Sequence, residues 1–401
     1  VSTQRVAVQM RETPSCRQNH GVPKDLRPLR EKGPAHGGTL IRSGEYWPMK
    51  IAQIAPLTEA VPPKGYGGTE RIVSFLTEEL VGLGHDVTLF ASGDSVTSAR
   101  LAPMCPQALR LAPDVRDALA PHFMMMETVF RRAHEFDVLH FHLDYWPFSL
   151  FSRQATPFLT TLHGRLDLPE LWPLYETHAN VPLISISDAQ RAPMPNANWA
   201  RTIHHGLPGN LLTPIEGVQP SYLGFIGRIC PEKRVDRAIE IAERCGLPLK
   251  IAAKIDRVDR DYYEQQIRPL LARSPHVEFI GEISDSEKAT FLAGAQALLF
   301  PIDWPEPFGL VMIEAMACGV PVIAFGHGSV PEVIEDGRTG FIVDDVGGAV
   351  HAVDRALHLS RDDVRRRFEE RFTARRMAED HVALYTQLVH GRRIRIPAAA
   401  E

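Results

Sequence analysis

Residues 297–325 read ALLFPIDWPEPFGLVMIEAMACGVPVIAF and hold a complete β-α-β pattern. The apolar run 297–300 has strand length, the proline-rich stretch after it turns the chain, and apolar residues from near Phe308 recur at helical spacing. Gly319 followed by Pro321 ends that helix, and 321–325 is a second apolar run of strand length. Parallel strands joined in this way present whatever follows the first strand at the carboxyl edge of a sheet, where open α/β sheets bind ligands. Glu306 falls there, just before the helix, and Glu314 lies within the helix, about a turn and a half on at roughly 1.5 Å rise per residue. Both carboxylates can therefore reach one elongated ligand. A carboxylate suits the vicinal hydroxyls of a ribose, and the N–H groups of Phe308, Gly309 and Leu310 suit sugar hydroxyls.

The same alternation runs outward from this unit. Strand patterns at 222–226, 249–253 and 277–280 precede it, and an earlier series at 51–55, 86–91, 137–141, 158–162, 183–187 and 202–204 forms a separate set. The Gly- and Pro-containing stretch 207–220 divides the two. The expected fold class is α/β, with two doubly wound, Rossmann-like domains facing each other across a cleft. The expected organisation is an extension over 1–48, a first domain over 49–206, a linker over 207–220, a second domain over 221–375 and a C-terminal helix and tail over 376–401.

A chain of 401 residues is long enough for two domains with their own cores. With 44 Lys+Arg against 49 Asp+Glu it has no basic excess for counterion release, so nucleic acid is not an expected partner. The five cysteines, at 16, 105, 230, 245 and 318, form no C-x-x-C pair, which argues against a disulfide framework and a thiolate zinc site and favours the cytoplasm. No run approaches the roughly 18 apolar residues of a membrane span, although peripheral attachment at the inner membrane stays open. Residues 1–48 carry eight Lys/Arg against four Asp/Glu and no apolar periodicity. They read as a disordered extension or an upstream misreading before a start at Met49.

Four further elements lie at predicted strand ends. Gly67 and Gly68, between the first strand and a helical run over 71–83, let backbone approach an anion or sugar or simply make a turn. His163, with Gly164, follows the strand 158–162, where it can donate to a substrate hydroxyl or to developing charge, or be bonded within its own loop. His140-x-His142-x-Asp144 has metal-ligand spacing after another strand, so a metal-dependent hydrolase competes as a reading, against cleft-lining or core histidines. Arg228 ends the strand that opens the second domain, and Lys233 precedes a helical run over 235–245. Arg can grip two phosphate oxygens and Lys adds a point charge, so this pair suits a diphosphate.

Taken together, the E-x7-E of Glu306 and Glu314, the G-R-x-x-x-x-K of Arg228 and Lys233, His163-Gly164 and Gly67-Gly68 resemble the retaining glycosyltransferases of family 4, which have the GT-B fold. The likeness runs from about Met49 to the C-terminus. It implies that Arg228 and Lys233 bind the nucleotide diphosphate, Glu314 the ribose, and Phe308, Gly309 and Leu310 with Glu306 the transferred sugar. His163 would contact that sugar near its reacting carbon, and Gly67 and Gly68 would approach the phosphates. The implied reaction moves a hexosyl unit from a nucleotide-diphosphate sugar, a co-substrate rather than a cofactor, to a hydroxyl on a small-molecule, glycan or lipid-linked acceptor. It proceeds with retention and needs no metal. Glu306 is expected to position the sugar rather than act as a nucleophile. Arg234 departs from the pattern, since many members have glycine after the lysine. A non-catalytic nucleotide-sugar binding protein and a nucleotide-sugar epimerase are the remaining alternatives. Donor base, acceptor and oligomeric state are not specified by the sequence.

Overall fold

The structure, a computed structural model, describes residues 47–65 and 67–393. Nearly all of the expected extension 1–48, and the end of the tail from 394, lie outside the described residues.

Seven strands make the first sheet: β1 Lys50–Ile54, β2 Asp86–Ser92, β3 Arg100–Cys105, β4 Val138–Phe141, β5 Phe158–Thr161, β6 Leu183–Ser185 and β7 Trp199–Thr202. They run in the order β3-β2-β1-β4-β5-β6-β7. Six more make the second: β8 Tyr222–Arg228, β9 Leu249–Lys254, β10 Val277–Gly281, β11 Ala295–Phe300, β12 Val322–Phe325 and β13 Gly340–Val343, in the order β10-β9-β8-β11-β12-β13. Every pairing in both sheets is parallel. Strands buried on both faces explain the unbroken apolar runs, as in β4, where all four residues are buried. Each sheet starts in its middle, builds to one edge and then reverses, so each has a switch point, between β1 and β4 and between β8 and β11. Such points open a crevice at the strands' carboxyl ends.

Three differences from the sequence reading have physical causes. β3 escaped notice because it is an edge strand carrying Pro103 and only one buried residue, which erases the apolar signal. β13 is another edge strand, four residues long and half-buried at its end. β7 lies at 199–202 rather than 202–204, because none of its four residues is buried and the strand leaves no apolar signal.

The chain crosses between the sheets twice, and the crossings touch. Leu207 donates its N–H to Phe372 O at 2.9 Å, and Ala374 donates to Leu207 O at 2.8 Å. The second crossing leads into the helix Ala374–Arg393, whose buried Met377, Ala378, Val382 and Tyr385 share one core cluster with Ile51, Ile72, Leu76 and Leu80 of the first half. This helix thus completes the core under the first sheet. No helix among the described residues is long and apolar enough to cross a membrane.

Candidate active site

The two switch points open onto one cleft of about 670 Å³. The ten residues expected to contact the donor all line it: Gly67, Gly68, His163, Arg228, Lys233, Glu306, Phe308, Gly309, Leu310 and Glu314.

On the first-sheet side, the helix Gly68–Gly82 begins three residues earlier than its apolar periodicity suggested. A Cβ on Gly67 would lie 2.8 Å from Pro63 Cβ, so the loop packs against itself more closely than a side chain allows. His163 follows β5, its Nε2 2.9 Å from His142 Nδ1, and its ring stacks on His205 at 5.3 Å. Burial holds the His163 imidazole down at about 3, with the nearby His381 adding to the effect, so it is neutral at ordinary pH.

On the second-sheet side, Arg228 ends β8 among Asp259, Glu232 and Asp256, with N···O distances of 3.5, 3.7 and 3.8 Å. Lys233 closes a single helical turn, Pro231–Lys233, and bonds to Glu306 Oε2. Its ammonium also lies 5.3 Å from the Trp304 ring centre and 5.5 Å from that of Phe300. The Trp304 indole N–H donates to the same Glu306 oxygen at 3.0 Å. The helix Leu310–Ala317 starts from Gly309, whose φ of 77° is left-handed and whose Cβ would meet Met312 at 2.8 Å. Glu314 lies about one turn inside this helix and accepts from Lys288 Nζ at 2.7 Å, with only 7% of its side chain exposed.

Several contributors were not read from the sequence. Lys288 sits on the helix Asp285–Ala293, which is capped by Ser284 and Glu287, and its side chain turns inward. The available signal was a lysine beside Phe291 and Leu292 on a helix, which when buried requires a carboxylate partner. Arg71 of the first half forms an ion pair with Asp285 of the second across the cleft. Glu70 is buried, which pushes its carboxyl up despite hydrogen bonds from backbone, and Glu59 pairs with Arg110 at 2.5 Å.

The halves also meet beside the E-x7-E loop. Ser187 donates to Pro307 O at 2.6 Å, and Phe308 packs edge-on against His205 at 5.0 Å. The Glu332 carboxylate accepts from the N–H groups of Asp188 and Ala189, both at 2.7 Å, and from His204 at 3.1 Å.

The H-x-H-x-D element does not assemble as a metal centre. Both ring nitrogens of His140 and of His142 are engaged by protein partners, while Asp144 is exposed on a left-handed turn with φ of 48°. Among the described residues no group of three or more His, Cys, Asp or Glu is arranged to hold a metal ion.

Two doubly wound sheets facing one cleft through their switch points define the GT-B fold. The chain belongs to the family 4 type of glycosyltransferase: residues 66–203 match the family described as Glycosyltransferase Family 4, and 216–375 that described as Glycosyl transferases group 1. It is 30% identical over 226 residues to a D-inositol 3-phosphate glycosyltransferase of Mycobacterium sp. (strain KMS), covering 48% of this chain and 45% of the relative. The matched region thus spans just under half the length of that relative. Among solved structures, sucrose-phosphate synthase from Thermosynechococcus elongatus superposes with a TM-score of 0.71 at 20% identity, over 85% of this chain and 99% of that one. Anabaena HepE in complex with UDP and glucose superposes at 0.64 and 18% identity, over 84% and 99%. At these identities the two structures share the fold.

Proposed function

We propose that the protein transfers a hexosyl unit from a nucleoside-diphosphate sugar to an acceptor hydroxyl, with retention and without a metal ion. The observation that carries this reading is the convergence of Arg228 and Lys233 with both carboxylates of E-x7-E on a single cleft. Arg228 and Lys233 bind the diphosphate and stabilise its charge as it leaves, which is the work a divalent cation does elsewhere. Glu314, held by Lys288, is oriented for the ribose hydroxyls. The HepE complex with UDP and glucose supports a ligand of this chemistry in a cleft of this fold.

Lys233 joins the two halves of the proposed donor. It is bonded to Glu306, the sugar-side carboxylate, and stands beside the diphosphate-side Arg228 in the cleft lining. With Lys233 and the Trp304 indole both donating to it, the Glu306 carboxylate is a weak nucleophile, which supports its role in holding the sugar. A leaving phosphate oxygen then accepts the acceptor's proton on the face where the new bond forms. Gly67 and Gly68 bring the helix N-terminus of the first half toward the phosphates, so transfer requires both halves together.

The test is a thermal-shift screen of UDP-, GDP- and ADP-sugars, because a matched donor stabilises the fold by mass action. Proton NMR of the product anomer follows, with acceptors beginning from the inositol 3-phosphate in the name of the curated relative. A stabilising donor, an axial-to-axial or equatorial-to-equatorial outcome and full activity in EDTA are expected. Inversion, or loss of activity on chelation, would remove the corresponding half of the reading.

A further inference from the structure

The two histidines of H-x-H-x-D belong to a chain of hydrogen bonds that ends at the cleft. His163 Nε2 is 2.9 Å from His142 Nδ1, and His142 Nε2 is 2.9 Å from Gln53 Oε1. The Gln53 amide nitrogen donates to the Tyr385 hydroxyl at 3.1 Å. That hydroxyl lies 2.7 Å from His140 Nδ1, and His140 Nε2 lies 2.7 Å from Thr161 Oγ1.

Counting protons gives these bonds a direction. A neutral imidazole has one N–H, a phenol one O–H, and an amide accepts only at oxygen and donates only at nitrogen. The Gln53 oxygen can only accept, so the proton of His142 is on Nε2 and its Nδ1 is a lone pair. That lone pair can only accept from an Nε2–H on His163. On the other side of Gln53, the amide N–H donates to the Tyr385 oxygen, and the buried phenolic proton has His140 Nδ1 as its acceptor among the described residues, so it goes there and the His140 proton goes to Thr161. The orientation of one amide therefore sets all five bonds.

The residues are also kept neutral, as the count requires. Burial pushes the imidazoles of His140 and His142 well below their ordinary range, and other histidines lie against both rings, so a second charge would be repelled. His381, beside His140, bonds Met377 O at 2.8 Å through Nδ1 and stays outside the chain. One atom at the cleft end is unmatched: His163 Nδ1 is buried and has no hydrogen-bond partner among the described residues. Buried polar atoms are nearly always satisfied, and His163 lines the cleft, so a ligand bound there is the candidate partner.

We propose that His142, backed by Gln53, Tyr385 and His140, is a positioning residue that locks His163 in its Nε2–H form. His163 then meets the ligand as a hydrogen-bond acceptor and takes a hydroxyl, not as the donor that its position alone suggests. The nature of the ligand rests on the sugar-transfer reading; the tautomer does not. The role selects a donor sugar with an intact hydroxyl at that point and disfavours one bearing fluorine or a carboxylate there.

The experiment is long-range proton–nitrogen NMR on the full chain labelled with [15N]histidine, with His163 assigned by its loss in His163→Asn. The expected spectrum has a non-protonated Nδ1 and a protonated Nε2 at His163, His142 and His140. A protonated Nδ1 at His163 in the unliganded wild type overturns the proposal. Gln53→Leu should leave His163 in mixed tautomers and Gln53→Glu, which keeps an acceptor for His142, should restore the single form. Tyr385→Phe keeps the ring volume, removes only the hydroxyl, and should give mixed tautomers even where Gln53→Leu is too unstable to study. An unchanged tautomer in both folded variants also overturns it. In turnover, Gln53→Leu should lower kcat about tenfold while affinity for free UDP, GDP or ADP stays constant. A wild-type protein that binds none of these nucleotides but shows the expected tautomers would refute the sugar-transfer reading and leave the lock standing.

Discussion

Lys288 and Glu314 offer the sharpest quantitative test of the site, because both side chains are nearly dry, with 11% and 7% exposed, and joined at 2.7 Å. Lys288→Met keeps the length and apolar stem of the lysine but leaves the Glu314 carboxylate in the same enclosure without its ammonium. Removing one partner of a buried pair costs about 3–5 kcal/mol, most of it from the charge left behind. For a domain of this size that is a fall in Tm of roughly 6–20 °C. The double variant Lys288→Met/Glu314→Leu carries no buried charge, and replacing a whole pair by apolar groups is close to neutral, so its Tm should return to near that of the wild type. Donor binding should not return with it, since the carboxylate proposed for the ribose is gone. Calorimetric unfolding of wild type, both single variants and the double closes the cycle, and titration with the matched nucleotide sugar reads the binding. A Lys288→Met protein melting within a degree of wild type would show that Glu314 reaches water and refute the reasoning. A double variant as unstable as Lys288→Met would place the loss in packing or in the 3.3 Å contact of Lys288 with Asp285 rather than in the stranded Glu314 charge.

Arg228→Ala and Lys233→Ala should each weaken nucleoside-diphosphate binding by roughly ten- to a hundredfold, the worth of a charged hydrogen bond, in an isothermal titration that finds the fold intact. Glu314→Gln should mainly raise the donor KM and Glu306→Gln mainly lower kcat, as steady-state kinetics will separate, because only the second meets charge that develops during transfer. Arg234→Gly should be more stable than Arg234→Ala by about 1–2 kcal/mol in urea unfolding, since both lose the same ion pairs and only glycine relaxes the left-handed backbone. Burial pushes the Glu332 carboxyl up, but the hydrogen bonds from His204, Asp188 and Ala189 outweigh it and hold it below its ordinary 4.5. A depressed carboxyl stabilises above its unfolded value, so this contact between the halves should persist at neutral pH and be lost as pH falls below 4.5, which small-angle scattering would detect as expansion of the protein but not of Glu332→Gln.

The parts of the molecule visible in the sequence are those with local signals. The stretch from Ala297 to Phe325 could be read because a buried parallel strand is a continuous apolar run, and because the proline-rich turn and Gly319 punctuate the helix between such runs. The same reasoning misses β3, where an edge position allows Pro103 and exposed residues, and it misses Lys288, whose meaning depends on a carboxylate 26 positions away in sequence. His140 and His142 show the converse error. Their alternate spacing is a local signal that suits a metal, but it arises because both point to the same face of β4, toward Gln53 of β1 and, for His140, Tyr385 of the final helix. Only the fold, by bringing a residue 245 positions away against His140, shows that these nitrogens are already committed.

Arg234 shows how a departure from a family pattern can be absorbed by its neighbours. Its backbone, at φ 51° and ψ 51°, is in the left-handed region where glycine is at ease, so the glycine common at this position answers a demand of the main chain. An arginine there bears the strain and brings a third cation into a stretch that already holds Arg228 and Lys233. That charge is taken up locally: the guanidinium bonds Asp236 at 2.8 Å and Asp303 at 2.7 Å, and Arg237 shares Asp303 at 3.1 Å. These pairs are partly solvated and worth about 0–1 kcal/mol each, comparable to the cost of the backbone. Arg234 is absent from the cleft lining, so the cationic pair offered to a diphosphate remains Arg228 and Lys233. Asp236 and Asp303 are therefore the residues that let this chain carry arginine where others carry glycine, and the site proposed for a diphosphate depends on the turn's shape more than on the identity of the residue at its bend.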